Sequence, residues 1–241
     1  MSDLSPVEQS EAEPTRAVRS RWGVEVAVIL CVGVFPPLLS ALVSHPTEET
    51  MPSAQHQWLA LLVRSFQVLA PTMYVIWRSR EGWSAFGWRR WRLSDDLILG
   101  FVLALVGLWC ARLGVMVGRS LLGADAAYNP VIQNEFRQAF HVDGWTSALM
   151  VAALVANSFA EEVVVRAFLI LRFTQLLRSP VKAVLLSSLL FASYHVYQGL
   201  APACGVFAMG LLLGTVYAFQ GRVAPLIVAH TLYNLAQSWK F

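Results

Sequence analysis

Apolar runs of about 20 residues recur along this chain, the length a helix needs to cross a hydrocarbon core of about 30 Å. They fall at 22–43, 57–77, 96–118, 146–171, 182–199, 202–219 and 223–239. The fold class they predict is all-α, a polytopic transmembrane helix bundle of about seven spans. Charge content agrees: 14% of residues are charged, against about 25% in a soluble domain, and mean hydropathy is +0.55. The run at 22–43 is too long for the core of a signal peptide, so it counts as a span. Before it, Asp3, Glu8, Glu11 and Glu13 with two prolines up to Thr15 read as a disordered tail. The chain therefore divides into a cytoplasmic tail, 1–21, and a transmembrane domain, 22–241, with its functional core at about 146–239.

Basic residues give the orientation. Arg16, Arg19 and Arg21 precede the first run; Arg78, Arg80, Arg89, Arg90 and Arg92 lie between the second and third. Arg172, Arg178 and Lys182 follow the fourth, and Arg222 sits between the sixth and seventh. The opposite side carries only Arg119, Arg137 and Lys240. The positive-inside rule then puts the N-terminus in the cytoplasm, and the excess of arginine over lysine with short loops points to the cell inner membrane of a bacterium. Between Arg78 and Arg92 the arginines alternate with Trp83, Phe86, Trp88 and Trp91. Such a segment suits the inner leaflet, with the tryptophans at headgroup level, rather than nucleic acid. Cys31, Cys110 and Cys204 all lie in apolar runs and read as small packing residues.

Local punctuation marks several helix ends. Ser179-Pro180 reads as an N-cap followed by proline at the first helical position. Gly199 to Pro202 reads as a tight turn, and Ser94-Asp95-Asp96 as a capping serine with acids at the positive end of the helix dipole. Pro36-Pro37 should bend the first span. Arg64 and Arg112 lie within spans near the outer face, where snorkelling is the simplest reading.

One run breaks the apolar rule. Asn157-Ser-Phe-Ala-Glu161-Glu162-Val-Val-Val-Arg166 places three ionisable groups where each costs about 2.5–3.5 kcal/mol on insertion scales. Glu162 and Arg166 are four apart and share a helix face, so they predict an ion pair, leaving Glu161 less directly matched. Phe191 with His195, and His230 with Asn234, repeat the four-residue spacing in the later runs. At about 1.5 Å per residue from the basic flanks, Glu161, His195 and His230 sit roughly 16, 20 and 12 Å deep. These depths converge on one layer.

A carboxylate beside a histidine can take a proton from water, and a second histidine with an amide can hold an oxyanion. Two histidines and a carboxylate also make a plausible zinc shell, although HExxH is absent and three separate helices would have to supply the ligands. No Gly-x-Ser-x-Gly, Gly-x-Gly-Asp or Walker motif is present.

In their order and on successive late runs, Glu161-Glu162-x-x-x-Arg166, Phe191-x-x-x-His195 and His230-x-x-x-Asn234 resemble the three motifs of the CAAX protease and bacteriocin-processing (CPBP, or Abi) family. That family includes the type II CAAX prenyl endopeptidases. The resemblance covers about 157–235. It implies an intramembrane endopeptidase, regarded as glutamate-dependent, in which Glu161 and His195 activate water and His230 and Asn234 stabilise the oxyanion. Glu162 and Arg166 would support the site. No cofactor is implied, zinc being the alternative. The partners expected are the lipid bilayer and a membrane-associated protein or peptide substrate. Val165 and Ala167 depart from the pattern, which commonly has Phe before the arginine and Gly after it. Two other functions fit such a polar cavity. One is a non-catalytic immunity or peptide-binding membrane protein. The other is a transporter, although the inverted repeat expected of one is not visible.

Overall fold

The structure, a computed structural model, describes residues 14–43, 52–123, 129–140 and 144–238. Among them it is all helical, in ten α-helices: α1 Arg16–Ile29, α2 Phe35–Val43, α3 Ala54–Ser79, α4 Leu93–Leu122, α5 Pro130–Phe140, α6 Gly144–Glu161, α7 Leu171–Leu177, α8 Pro180–Ser193, α9 Leu200–Gln220 and α10 Ala224–Ser238. Helical structure starts at Arg16, inside the segment expected to be tail; residues 1–13 lie outside the described residues, as do His45, His141 and Lys240.

Among the described residues, five continuous helical stretches are long and apolar enough to cross a membrane: Arg16–Ser40, Ala54–Ser79, Leu93–Leu122, Gly144–Leu177 and Leu200–Gln220. The expected runs at 182–199 and 223–239 became α8 and α10, with 14 and 15 residues. At 1.5 Å per residue each reaches only about 21–23 Å, short of a full crossing. Ser179 caps α8 through a bond from Lys182 N–H, and proline occupies its first turn. The third span is capped differently from expectation. Ser94 lies inside α4, and the Asp96 carboxylate reaches back to accept from Arg92 N–H at 2.9 Å.

Two spans are not uniform α-helix. Between α1 and α2 lies a π-helical turn, Leu30–Val34, just before Pro36-Pro37. Those prolines supply no N–H and their rings crowd the preceding carbonyls, and a wider turn relieves both. Between α6 and α7 the π-helix runs from Glu162 to Ile170, and all nine of its residues are buried. Two of its carbonyls take side-chain donors from neighbouring helices: Val165 O from Ser187 Oγ at 2.7 Å, and Ala167 O from Tyr217 OH at 3.4 Å. The polar stretch is thus a wide turn at the centre of the bundle.

Around that centre α4 packs against α9 and α10, and α3 against α6. Small residues let the α4 and α9 backbones approach closely. A Cβ at Gly114 would lie 2.5 Å from Cys204 O, and one at Gly205 would lie 2.8 Å from Ala111 O. Close approach of this kind replaces hydrophobic pressure in lipid. Outside, Leu39, Phe66, Ile98, Trp109 and Leu121 present apolar side chains, as a lipid-facing surface should. Arg112 lies among them, its guanidinium 5.5 Å from the Trp109 ring.

The segment after α3 turns partly inward. Phe86 is fully buried and stacks on Phe168 of the π-helix, and Trp88 sits 5.7 Å from Phe159, while Trp83 and Trp91 stay exposed. Gly87 joins this segment to the α9–α10 turn: it has φ +80°, its carbonyl accepts from Val223 N–H, and a Cβ would lie 2.8 Å from Tyr217. Beside Phe86, Arg172 is wholly buried, contrary to its expected place at a solvated flank. Its Nε donates to Glu25 at 2.7 Å and its Nη1 to Glu81 at 2.9 Å and Gln175 at 2.8 Å. Glu25 also pairs with Arg21, as its spacing predicts. Burial alone would push the Glu81 carboxyl up. Hydrogen bonds from Arg172 and Gln175, with the Arg172 charge, outweigh burial and hold it below its ordinary 4.5.

Candidate active site

Glu161 ends α6 and Glu162 begins the π-helix. Their carboxylates approach one imidazole from two sides. His230, on α10, places Nδ1 at 2.7 Å from Glu162 Oε1 and Nε2 at 3.5 Å from Glu161 Oε2. A carboxylate only accepts, so Nδ1 carries a proton toward Glu162 and the ring is fixed from behind. Arg166 completes the rear wall. Its Nη1 lies 3.0 Å from Glu162 Oε1, so the ion pair predicted from their spacing is present. The guanidinium also lies 4.4 Å from the Phe191 ring, an attraction strengthened by desolvation. Arg166 and Glu162 are both inaccessible to solvent, while Glu161 remains partly open.

His195 is placed differently from the expected helix position. α8 stops at Ser193, and His195 sits in the turn that follows, before a short 3-10 segment, Val196–Gln198. Irregular backbone at membrane depth is tolerated where it lines a cavity rather than lipid. The ring still meets Phe191, edge to face at 4.9 Å between centroids, and its Nδ1 lies 2.8 Å from Phe191 O. A carbonyl also only accepts, so this nitrogen holds the proton and Nε2 keeps a free lone pair. Asn234 donates through Nδ2 to Ser158 Oγ at 3.0 Å, and the Ser158 hydroxyl in turn donates to Leu154 O at 2.8 Å.

Glu161, His195, His230 and Asn234 all line one cavity of about 480 Å³; Glu162 and Arg166 lie behind its wall. Two further residues belong to this lining. Tyr194 donates to Glu161 Oε1 at 3.4 Å, and its ring lies 4.7 Å from that of His195, so it connects the carboxylate and histidine that no direct bond joins. Arg64, expected to snorkel outward, faces the cavity with its guanidinium 6.0 Å from the Tyr194 ring. Tyr194 directly precedes His195 in sequence; Arg64 gave no signal beyond being a charge within a span. α5, absent from the expected elements, covers one end of the cavity with Ile132 and Phe140, and is tied to α3 by Trp58 Nε1–H to Ala139 O at 2.9 Å.

Chemically, the wall offers one partly open carboxylate, the Nε2 atoms of two imidazoles and an amide N–H donor. Among the described residues, no group of three or more His, Cys, Asp or Glu is arranged to hold a metal ion.

Residues 143–236 match the family model described as type II CAAX prenyl endopeptidase Rce1-like. No curated protein and no solved structure matches the chain significantly.

Proposed function

We propose, from the match of residues 143–236 to the type II CAAX prenyl endopeptidase model, a glutamate-dependent intramembrane endopeptidase acting on a membrane-associated protein or peptide. That match supports the coarser statement, a multi-pass membrane protease. The observation that carries the finer reading is the division of labour between adjacent carboxylates, with Glu162 engaged by Arg166 and His230 and Glu161 open to the cavity.

Glu161 holds the attacking water and takes its proton, assisted by the free Nε2 of His195, as the water oxygen bonds to the scissile carbonyl carbon. Negative charge then develops on the carbonyl oxygen, where the Asn234 amide donates; His230 donates there through Nε2–H as the imidazolium, since its Nδ1 already carries a proton toward Glu162. The C–N bond breaks as Glu161 returns the proton to the departing nitrogen, leaving an acid and an amine. Glu162 and Arg166 are positioning residues: they set the tautomer and orientation of His230 and neutralise a charge that desolvation would otherwise penalise. Tyr194 orients Glu161. No metal is needed at any step. The distribution of arginines supports a cytoplasmic N-terminus, and in that orientation the cavity, lined by Trp58, Arg64, Val115 and Gln237, lies toward the outer half of the bilayer.

The test uses the full chain in liposomes with membrane-tethered reporter peptides. His195→Ala should lower cleavage by roughly 10²–10⁴-fold, and rigorous chelation should leave the wild-type rate unchanged. A rate abolished by chelation and restored by zinc would replace the glutamate mechanism with a metal one.

A further inference from the structure

We propose that the arginine-lined hollow between the start of α4 and the α9–α10 turn is a binding site for the phosphodiester headgroup of an anionic glycerophospholipid. The hollow measures about 900 Å³ and is lined by Arg89, Arg90, Arg92 and Arg222, with Trp91 at its edge. It is separate from the cavity of Glu161 and shares no lining residue with it. Arg222 is already fixed, with Nη2 2.7 Å from the buried Asp96 and 3.4 Å from Arg90 O. Arg89, Arg90 and Arg92 have no carboxylate partner among the described residues. Three uncompensated guanidinium groups beside one pre-positioned by a buried acid form a receptor for an anion, and guanidinium forks match the paired oxygens of a phosphate.

The surroundings select a lipid over a soluble anion. Trp91 is half exposed at the rim, where an indole suits headgroup level. Leu93 and Leu97 on α4, and Phe219 beside the hollow on α9, are exposed apolar side chains along which acyl chains can lie. Basic pockets between transmembrane helices are a recurrent way of holding anionic headgroups. The same hollow adjoins the turn whose Val223 bonds to Gly87, so a bound lipid would brace the loop that carries Phe86 onto the π-helix.

The experiment titrates dioleoylphosphatidylglycerol into the full chain in neutral detergent, with phosphatidylcholine and inorganic phosphate alongside, reading Tm and native mass. Phosphatidylglycerol should raise Tm by several degrees and remain bound as a single retained lipid; the other two should do neither. The R89Q/R90Q/R92Q variant should need at least about ten-fold more phosphatidylglycerol for the same shift. The R16Q/K182Q variant, which removes positive charge elsewhere, should respond like wild type. If the triple variant does not fold, Arg90→Gln alone is read in the same way, with a smaller loss. Equal responses of the arginine variant and wild type would overturn the proposal. So would an equal Tm rise with inorganic phosphate, which would assign the hollow to a soluble anion.

Discussion

Arg166 and Arg172 are two buried arginines less than two helical turns apart, and their surroundings differ in one respect that separates chemistry from architecture. Arg172 directs Nε and Nη1 at Glu25, Glu81 and Gln175 with short hydrogen bonds, and those acceptors receive further donors from Trp22 and Gln175. Arg166 has a charge partner at 3.0 Å, but neither of its terminal nitrogens makes a well-directed hydrogen bond, and Glu162 Oε2 has none among the described residues. Both lie against aromatic rings. The first cluster leaves one nitrogen, Arg172 Nη2, without a well-directed hydrogen bond although it lies 2.7 Å from Glu25 Oε2; the second leaves both terminal nitrogens of Arg166 and Glu162 Oε2 so, next to a cavity. A buried charge pair that merely ties helices together has reason to leave few atoms unsatisfied, since each orphan costs free energy. One that serves a reaction must keep its pattern while charge moves in front of it.

The comparison can be broken by removing one member of each cluster. Arg172→Ala should leave Glu25 and Glu81 without their shared cation and destabilise the fold by about 3–5 kcal/mol, read as a fall in Tm. At permissive temperature the folded fraction should still cleave substrate. A variant that folds normally but is inactive would put Arg172 in the chemistry. Asn234→Ala should do the reverse. Losing one oxyanion donor should cost kcat about 10²–10³-fold, while stability loses only the bond to Ser158, about 0.5–1.5 kcal/mol. Unchanged kcat with a large fall in Tm would make Asn234 structural.

The smallest effect is a pH dependence confined to the Arg172 cluster. The folded state holds the Glu81 pKa below its ordinary 4.5, so folding favours the ionised form. The stability it contributes is complete above the unfolded pKa and is lost as pH falls through the lowered folded value. Wild type should therefore lose Tm on acidification more steeply than Glu81→Gln. Parallel profiles would mean the depression is absent.

The membrane-helix class was legible because long apolar runs admit few readings, and the site because charges and histidines are costly at that depth. Spacing also gave the Glu162–Arg166 pair. What stayed hidden depended on contacts distant in sequence. Arg172 read as a solvated flank because nothing local announces Glu25 and Glu81, which two other segments bring to it. Arg64 read as snorkelling because its meaning comes from Tyr194 and Glu161 across the cavity. The early end of α8 was concealed because Val196 and Tyr197 carry the expected run on to 199, so His195 read as a helix residue rather than the turn residue it is. α5 is short and lacks the hydropathy that marked the spans. The π-helix is invisible to a periodicity search, since Glu162 and Arg166 remain neighbours whether the turn is α or π.

The central claim is that Glu161 is the reacting carboxylate and that the fold does not need its charge. It is tested most directly by Glu161→Gln, measured for cleavage of a tethered reporter and for Tm on the same preparation. The account predicts a Tm close to wild type and a loss of cleavage of roughly 10²–10⁴-fold. Cleavage at the wild-type rate in the folded variant would contradict it.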